Sequence, residues 1–208
     1  MIVVVQQHNA PAHADLLDKM FQLRARVFHR ELGWNVNVSG GRERDGYDEL
    51  GPVYIIYTDR ERREVKGSLR LLPTTGPTIL ADFFADTKPD AVNLVAPTIW
   101  ECTRFCLDDQ LLNRDSEEIL FASTVLIIAL GDLAMNTGIE SIIGNFDAPM
   151  LRLYRRIGCE VEILGSTRRY GRPIYLGLHP ISATVVDRIK KKIKGAQAAF
   201  AEAQVLAA

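Results

Sequence analysis

The 208-residue chain lacks the common nucleotide-binding signatures. There is no GxGxxG and no GxxxxGK[ST], so neither a dinucleotide cradle nor a phosphate loop is indicated. No GxSxG elbow presents a serine nucleophile. The four histidines (His8, His13, His29 and His179) are scattered, which argues against zinc, and no metal is expected. Cysteine is scarce: Cys102, Cys106 and Cys159 make an odd count without metal spacing or a nearby histidine. They read as small core residues of a reduced, cytoplasmic protein. No apolar run approaches the roughly 18 residues that span a bilayer, so no membrane role is expected. The start, Met1 to Gln6, is a short β-branched run without a basic leader and reads as a strand, not a signal peptide.

What is present is ordinary in bulk and uneven in distribution. A composition 47% hydrophobic and 25% charged suits a globular chain, and the length suits one domain over 1–208, frayed from about 196 onward. Net charge is only −1, yet residues 151–195 hold seven Arg and four Lys against Glu160, Glu162 and Asp187. An acidic front and a basic back suggest two kinds of partner, one cationic and one acidic. Aromatics are thin in the basic part, so a nucleic-acid footprint is not indicated.

Periodicity predicts the elements in order. A strand at the start leads to a helix over 13–32, with Gly33 as its stop. Residues 34–52 are a long polar segment of the kind that forms binding loops. Strands 53–58 and 65–72 make a hairpin, and 79–84 a short helical turn. A strand over 98–107 is followed by a helix capped by Asp115 or Ser116 and running to about Thr137. A strand over 141–146, a helix between Pro149 and Gly158, strands near 159–165 and 173–178, and a basic helix from Val185 to about Phe200 complete the chain. This order describes a three-layer α/β domain with a mixed sheet flanked by helices.

One stretch carries the chemistry. Ile99-Trp100-Glu101-Cys102-Thr103-Arg104-Phe105 is a core-like strand that holds a Glu and an Arg. Alternation directs Glu101, Thr103 and Phe105 to one face and Trp100, Cys102 and Arg104 to the other, and a bulge would swing Arg104 toward Glu101. Buried charges need partners; Arg24, Arg26, Asp45, Asp48 and Arg70 are the candidates. Phe28, four residues after Arg24 on the same helix face, is either core or an aromatic stacked on an arginine beside a cleft. No covalent nucleophile is proposed by any of this, so the chemistry expected is direct transfer organised by carboxylates and arginines.

Taken together, Arg24-x-x-x-Phe28-x-x-x-x-x-Trp34, Glu43-x-Asp45-x-x-Asp48, Gly67-Ser68-Leu69-Arg70-Leu71-Leu72-Pro73-Thr74-Thr75-Gly76-Pro77 and Trp100-Glu101-x-x-Arg104-Phe105 resemble the acyl-homoserine-lactone synthases, the autoinducer synthases of bacterial quorum sensing. The resemblance covers about residues 20–105. It implies a fold similar to the GCN5-related N-acetyltransferases and two substrates, S-adenosylmethionine and an acyl thioester, usually of acyl-carrier protein and in some members of coenzyme A. It implies acyl transfer to the α-amine, then attack of the substrate's own carboxylate on its γ-carbon, releasing methylthioadenosine. No cofactor is implied, and a monomer is expected.

The charges suit that chemistry. Arg24 or Arg104 would hold the substrate carboxylate, with Phe28 and Trp34 as an aromatic wall against sulfonium or adenine. The amine must lose a proton, and Glu101 is the first choice of base, Asp45 the second. Arg70, Arg104 and Asp48 would be the ion-pair frame that positions both; the structural alternative is that Arg70–Glu101 and Arg24–Asp48 are buried pairs holding the long loop down. The acyl chain would lie against Leu72, Phe84, Phe105, Leu126, Ile143, Phe146 and Leu153. Gly144 stands where many members have a Thr associated with 3-oxo chains; this weakens a 3-oxo assignment and is expected to free volume, favouring an unsubstituted, hydroxylated or bulkier acyl group. Arg152, Arg155, Arg156, Arg168, Arg169, Lys190, Lys191, Lys192 and Lys194 are candidates for docking the acidic carrier protein.

Two rivals are open at this level. An N-acyltransferase of the same fold acting on another amine would carry [Q/R]-x-x-G-x-[G/A] for coenzyme A, and Arg155-x-x-Gly158-x-Glu160 and Arg168-x-x-Gly171-x-Pro173 both fail at the last position. A non-catalytic sensor of S-adenosylmethionine or acyl thioesters would not need the carboxylates that are present.

Overall fold

A computed structural model describes residues 1–112 and 117–193. In chain order its strands are β1 (Ile2–Val5), β2 (Val38–Ser39), β3 (Arg42–Glu43), β4 (Val53–Thr58), β5 (Val65–Pro73), β6 (Ile99–Leu107), β7 (Ser141–Asp147), β8 (Glu162–Thr167) and β9 (Ile174–Pro180). The helices are α1 (Ala14–Arg24), α2 (Ile79–Phe83), α3 (Glu117–Thr137), α4 (Ala148–Ile157) and α5 (183–193). Seven strands form one mixed sheet in the order β1-β4-β5-β6-β7-β9-β8, and β2–β3 is a separate ribbon. The expected three-layer α/β architecture is what forms.

Burial on both faces explains the unbroken apolar strands. In β4 the alternation sends Tyr54 and Ile56 into a core with Leu16, Met20, Phe21 and Leu23 of α1. Val53 and Ile55 enter a second core with Leu126, Leu130 and Ala134 of α3. The latter three recur at the four-residue spacing that keeps one helix face on the sheet. α3 is, by length and composition, apolar enough to cross a membrane, contrary to the expectation that no run was; its Leu126 face is sheet core.

Several boundaries moved for local reasons. The helix expected over 13–32 begins as a 3-10 turn at Ala10–His13, and after Arg24 it widens into a π-helical turn, Ala25–Glu31. The extra residue per turn re-aims Phe28, and the chain leaves through Gly33 at φ 65°. The polar segment 34–52 is largely ordered, as the β2–β3 ribbon and a 3-10 turn at Gly46–Glu49; two-residue strands are too short to show a period. Asp147 caps α4, and Gly158 ends it with φ 99°. The proposed Asp115 or Ser116 cap of α3, Lys194 and the frayed end lie outside the described residues.

The feature that positions the site is where β6 and β7 part. These parallel neighbours pair only from Ile99–Glu101 against Ser141–Ile143, although β6 runs on to Leu107 and β7 to Asp147. Beyond Glu101 the sheet therefore has an opening between two of its central strands.

Candidate functional site

Six charged side chains form one buried lattice beside that opening. The Arg24 guanidinium, 1% exposed, reaches Glu43 Oε2 from Nε at 2.6 Å and grips both Asp48 oxygens at 2.8 and 2.9 Å. Arg70, fully buried, holds both Asp45 oxygens at 2.5 and 3.0 Å, reaches Asp48 at 2.8 Å and donates from Nε to Thr103 Oγ1 at 3.0 Å. Arg104 closes the set on Glu43 Oε1 at 3.1 Å and Asp45 Oδ2 at 2.8 Å. Three guanidiniums thus face three carboxylates, which is the condition under which charge can be kept from water. Burial alone would raise the Asp48 carboxyl; the hydrogen bonds and charge of Arg24, with the charge of Arg70, hold it well below the usual carboxylate range.

The polar segment and the sheet are tied together by this lattice. Asp45 caps the 3-10 turn by accepting from Tyr47 N at 3.0 Å, while Asp48 accepts from Asp45 N at 2.8 Å and from the Tyr54 hydroxyl at 2.7 Å. Arg104 enters it through a bulge: the β5–β6 register slips between Ser68 and Arg70, and Arg104 has φ 53°. The bulge expected near Arg104 is present, but it brings Arg104 to Glu43 and Asp45, not to Glu101. The slip also reverses Phe105, which packs with the α3 core instead of sharing the Glu101 face. Phe28 is stacked on Trp34 (5.1 Å between centroids, 25° apart) and lies beneath Arg104 at 5.4 Å. The arginine over Phe28 is Arg104 rather than Arg24.

Glu101 stands apart from the lattice. Its carboxylate, 1% exposed, accepts from the backbone N–H groups of Ile79 at 2.9 Å and Leu80 at 2.7 Å, at the start of α2. The expected Arg70–Glu101 pair does not form, because Asp45, Asp48 and Thr103 take the Arg70 donors. Burial pushes the Glu101 carboxyl up from its ordinary value, and the two N–H groups offset this only in part. The result is a buried carboxylate of raised basicity on a cavity wall.

That cavity, about 1740 Å³, passes through the opening in the sheet. On one side it is lined by Trp34, Asp45, Tyr47, Asp82 and Glu101, and on the other by Phe146, Tyr154, Ile127 and Val186. Phe28, Arg104, Phe84, Phe105, Ile143 and Gly144 are also in its wall. Arg24, Asp48 and Arg70 are not; they act from behind Asp45 and Arg104. Leu72 and Leu126 are buried elsewhere, Leu126 in the α3 core, and Leu153 packs among α3, α4 and α5. At Gly144 a Cβ would lie 3.0 Å from the Cys102 carbonyl oxygen. Glycine there lets β7 approach β6 closely at the throat of the opening, rather than freeing volume beside a chain.

On the basic side Arg152, Arg155, Arg156, Arg168, Lys191 and Lys192 are exposed. Lys190 is held by Asp132 at 2.6 Å, and Arg169 donates to the Phe83 carbonyl at 2.5 Å, so both have partners within the chain. Glu43 is fully buried although a charged residue in a polar loop carries no sign in the sequence that it will be. Tyr47 donates to Asp82 Oδ2 at 2.5 Å, a partner 35 residues away that no local pattern indicates.

Comparison with known proteins follows this geometry. The autoinducer synthase family profile matches residues 7–189. An acyl-homoserine-lactone synthase of Rhizobium etli is 42% identical over 167 residues, 80% of this chain and 77% of the relative. The solved structure of the AHL synthase LasI has a TM-score of 0.78 at 25% identity, covering 89% of this chain and 91% of that one. A CoA-dependent acyl-homoserine lactone synthase, BjaI, solved with SAM and isopentyl-CoA, has a TM-score of 0.81 at 25% identity, covering 93% of this chain and 89% of that one. FeeM, an N-acyl amino acid synthase from uncultured soil microbes, shares the fold alone, at TM-score 0.54 and 14% identity over 85% of this chain and 93% of that one. The layering is that of the GCN5-related N-acetyltransferases, as expected.

Two outcomes test the lattice. Glu43→Gln leaves Arg24 and Arg104 short of a counter-charge and is expected to cost about 3–5 kcal/mol in urea denaturation. The Asp48 carboxyl is depressed in the folded state, so its contribution is present above the ordinary 3.8 and lost as pH falls below it. The urea midpoint should therefore drop steeply below about pH 4, and a flat acid limb would contradict the assignment.

Proposed function

This chain belongs to the autoinducer synthase family and is an acyl-homoserine-lactone synthase; on that premise we propose that it joins S-adenosylmethionine to an acyl thioester across the opening in its sheet. The observation that carries this reading is the continuity of the cavity from the acidic wall to the apolar chamber between β6 and β7. No cofactor is required, since S-adenosylmethionine is consumed.

The acidic side suits S-adenosylmethionine. Asp82 and Glu101 add negative charge beside an internally balanced lattice, which favours a sulfonium and an ammonium. Arg104 uses Nε and Nη2 on Glu43 and Asp45, and Nη1, without a partner among the described residues, is directed to the substrate carboxylate. Arg24 is spent on Glu43 and Asp48 and takes no substrate. Trp34 and Phe28 supply the aromatic face for the cation. Glu101 is the base: its raised basicity and remaining lone pairs suit it to take the ammonium proton directly or through one water. Asp45, gripped by two arginines, is the electrostatic support.

The freed amine attacks the thioester carbonyl, the C–N bond forms, and the thiol leaves. The developing oxyanion is met most cheaply by backbone N–H groups that the bulge at Arg104–Phe105 takes out of the ladder. The substrate carboxylate then attacks the γ-carbon, the C–S bond breaks, and methylthioadenosine departs. The acyl-bearing partner is acyl-carrier protein, docked by Arg152, Arg155, Arg156, Lys191 and Lys192; BjaI, solved with isopentyl-CoA, keeps coenzyme A as the other donor class. The enzyme acts as a cytoplasmic monomer.

Mass spectrometry of purified protein with S-adenosylmethionine and paired acyl-carrier-protein and acyl-coenzyme A thioesters should give methylthioadenosine and acyl-homoserine lactone in equal amounts. Acylated product without methylthioadenosine would replace this reading with a plain acyltransferase. Glu101→Gln should lower turnover by roughly 10²–10⁴ while methylthioadenosine still binds, whereas near-normal turnover would remove Glu101 from the role.

A further inference from the structure

Two ring groups in the wall of the chamber have no hydrogen-bond partner among the described residues. Phe146, Tyr154 and His179 form one aromatic cluster: Tyr154 meets Phe146 edge-on at 5.1 Å and His179 edge-on at 4.8 Å. All three line the cavity. His179 Nδ1 lies 3.0 Å from the Glu160 carbonyl oxygen, an acceptor, so Nδ1 must carry the ring proton. Nε2 is then the other half of a neutral imidazole, a bare lone pair. Burial agrees with the neutral form, pushing His179 down to about 4, the hydrogen bond to Glu160 only partly offsetting it. Neither Nε2 nor the Tyr154 hydroxyl has a hydrogen-bond partner among the described residues, and burial pushes the Tyr154 phenol up, so it keeps its proton. An acceptor and a donor therefore stand on adjoining rings of the chamber wall.

We propose that Tyr154 and His179 recognise a hydroxyl group on the acyl chain, which donates to His179 Nε2 and accepts from the Tyr154 hydroxyl. The inference rests on the reading of this chamber as the acyl site. Its chemistry discriminates among three classes of chain. A hydroxyl can both donate and accept, and so satisfies both rings. A keto oxygen can only accept; it meets Tyr154 and leaves the imidazole lone pair desolvated. An unsubstituted chain displaces water from both groups and leaves them unpaired, which is how a polar pocket rejects an analogue.

The test compares hydroxylated, oxo and unsubstituted acyl-carrier-protein thioesters of equal chain length, the hydroxyl and keto groups being moved along the chain in parallel. Wild-type kcat/KM should favour at least one hydroxylated thioester over its unsubstituted match by about tenfold or more. His179→Phe, which keeps an aromatic ring in the cluster, should bring that ratio toward one, and Tyr154→Phe should reduce it independently. The ratio is internal to each variant, so a general loss of folded enzyme does not move it. A wild type that prefers unsubstituted or oxo chains, or a ratio unmoved in both variants, overturns the inference and leaves the synthase reading standing. Absence of lactone from every thioester in the wild type overturns the synthase reading, and this inference with it.

Discussion

Charge that has been taken out of water must be balanced where it stands, and much of this structure follows from that demand. Arg24, Arg70 and Arg104 arrive from a helix and two strands, Glu43, Asp45 and Asp48 from the β2–β3 ribbon and the 3-10 turn after it. None of the six would be tolerable there alone. Together they fasten the polar segment to the sheet, keep β6 bulged, and hold Phe28 beneath Arg104. The lattice is close to neutral as a unit, so the charge that a substrate feels comes from what stands outside it, chiefly Glu101 and Asp82.

The second organising feature is an incomplete ladder. β6 and β7 are paired for only part of their length, and the gap converts a sheet, normally a barrier between two layers, into a passage. One layer contributes acids and aromatics, and the other an apolar chamber under α3 and α5. A reaction between a small cationic molecule and an acyl chain needs both surroundings within bonding distance of one point. Gly144 keeps that point narrow, because a side chain there would press on the Cys102 carbonyl.

Much of this was legible in the sequence, and the limits have physical causes. The short apolar run 53–58, the longer Leu-, Ile- and Ala-rich run 117–137 and the glycine stops report directly on burial and backbone, so the elements and their layering could be read. The charges along 24–104 marked the site because ionised groups amid apolar strands are improbable without a purpose. Pairing was not legible: Arg70 could have met Glu101 on sign alone, and only the fold decides that Asp45 and Asp48 reach it first. The same holds for Glu43, buried despite lying in a polar loop, and for the face of Phe105, which one bulged residue reverses. The chamber residues beyond β7 were hardest, since Tyr154 and His179 lie far apart in sequence and meet only across α4 and β9.

The Glu101 carboxylate is also the anchor of a wall. Its two oxygens each hold one backbone N–H at the start of α2, a five-residue helix too short to be stable on its own. A proton gained on a remaining lone pair turns one of those oxygens into a hydroxyl, a weaker acceptor for the N–H group it holds. On the proposed mechanism, the moment of amine deprotonation is therefore also the moment at which α2 is held least firmly. Chemistry at the carboxylate and breathing of the cavity wall are, in that sense, a single titration.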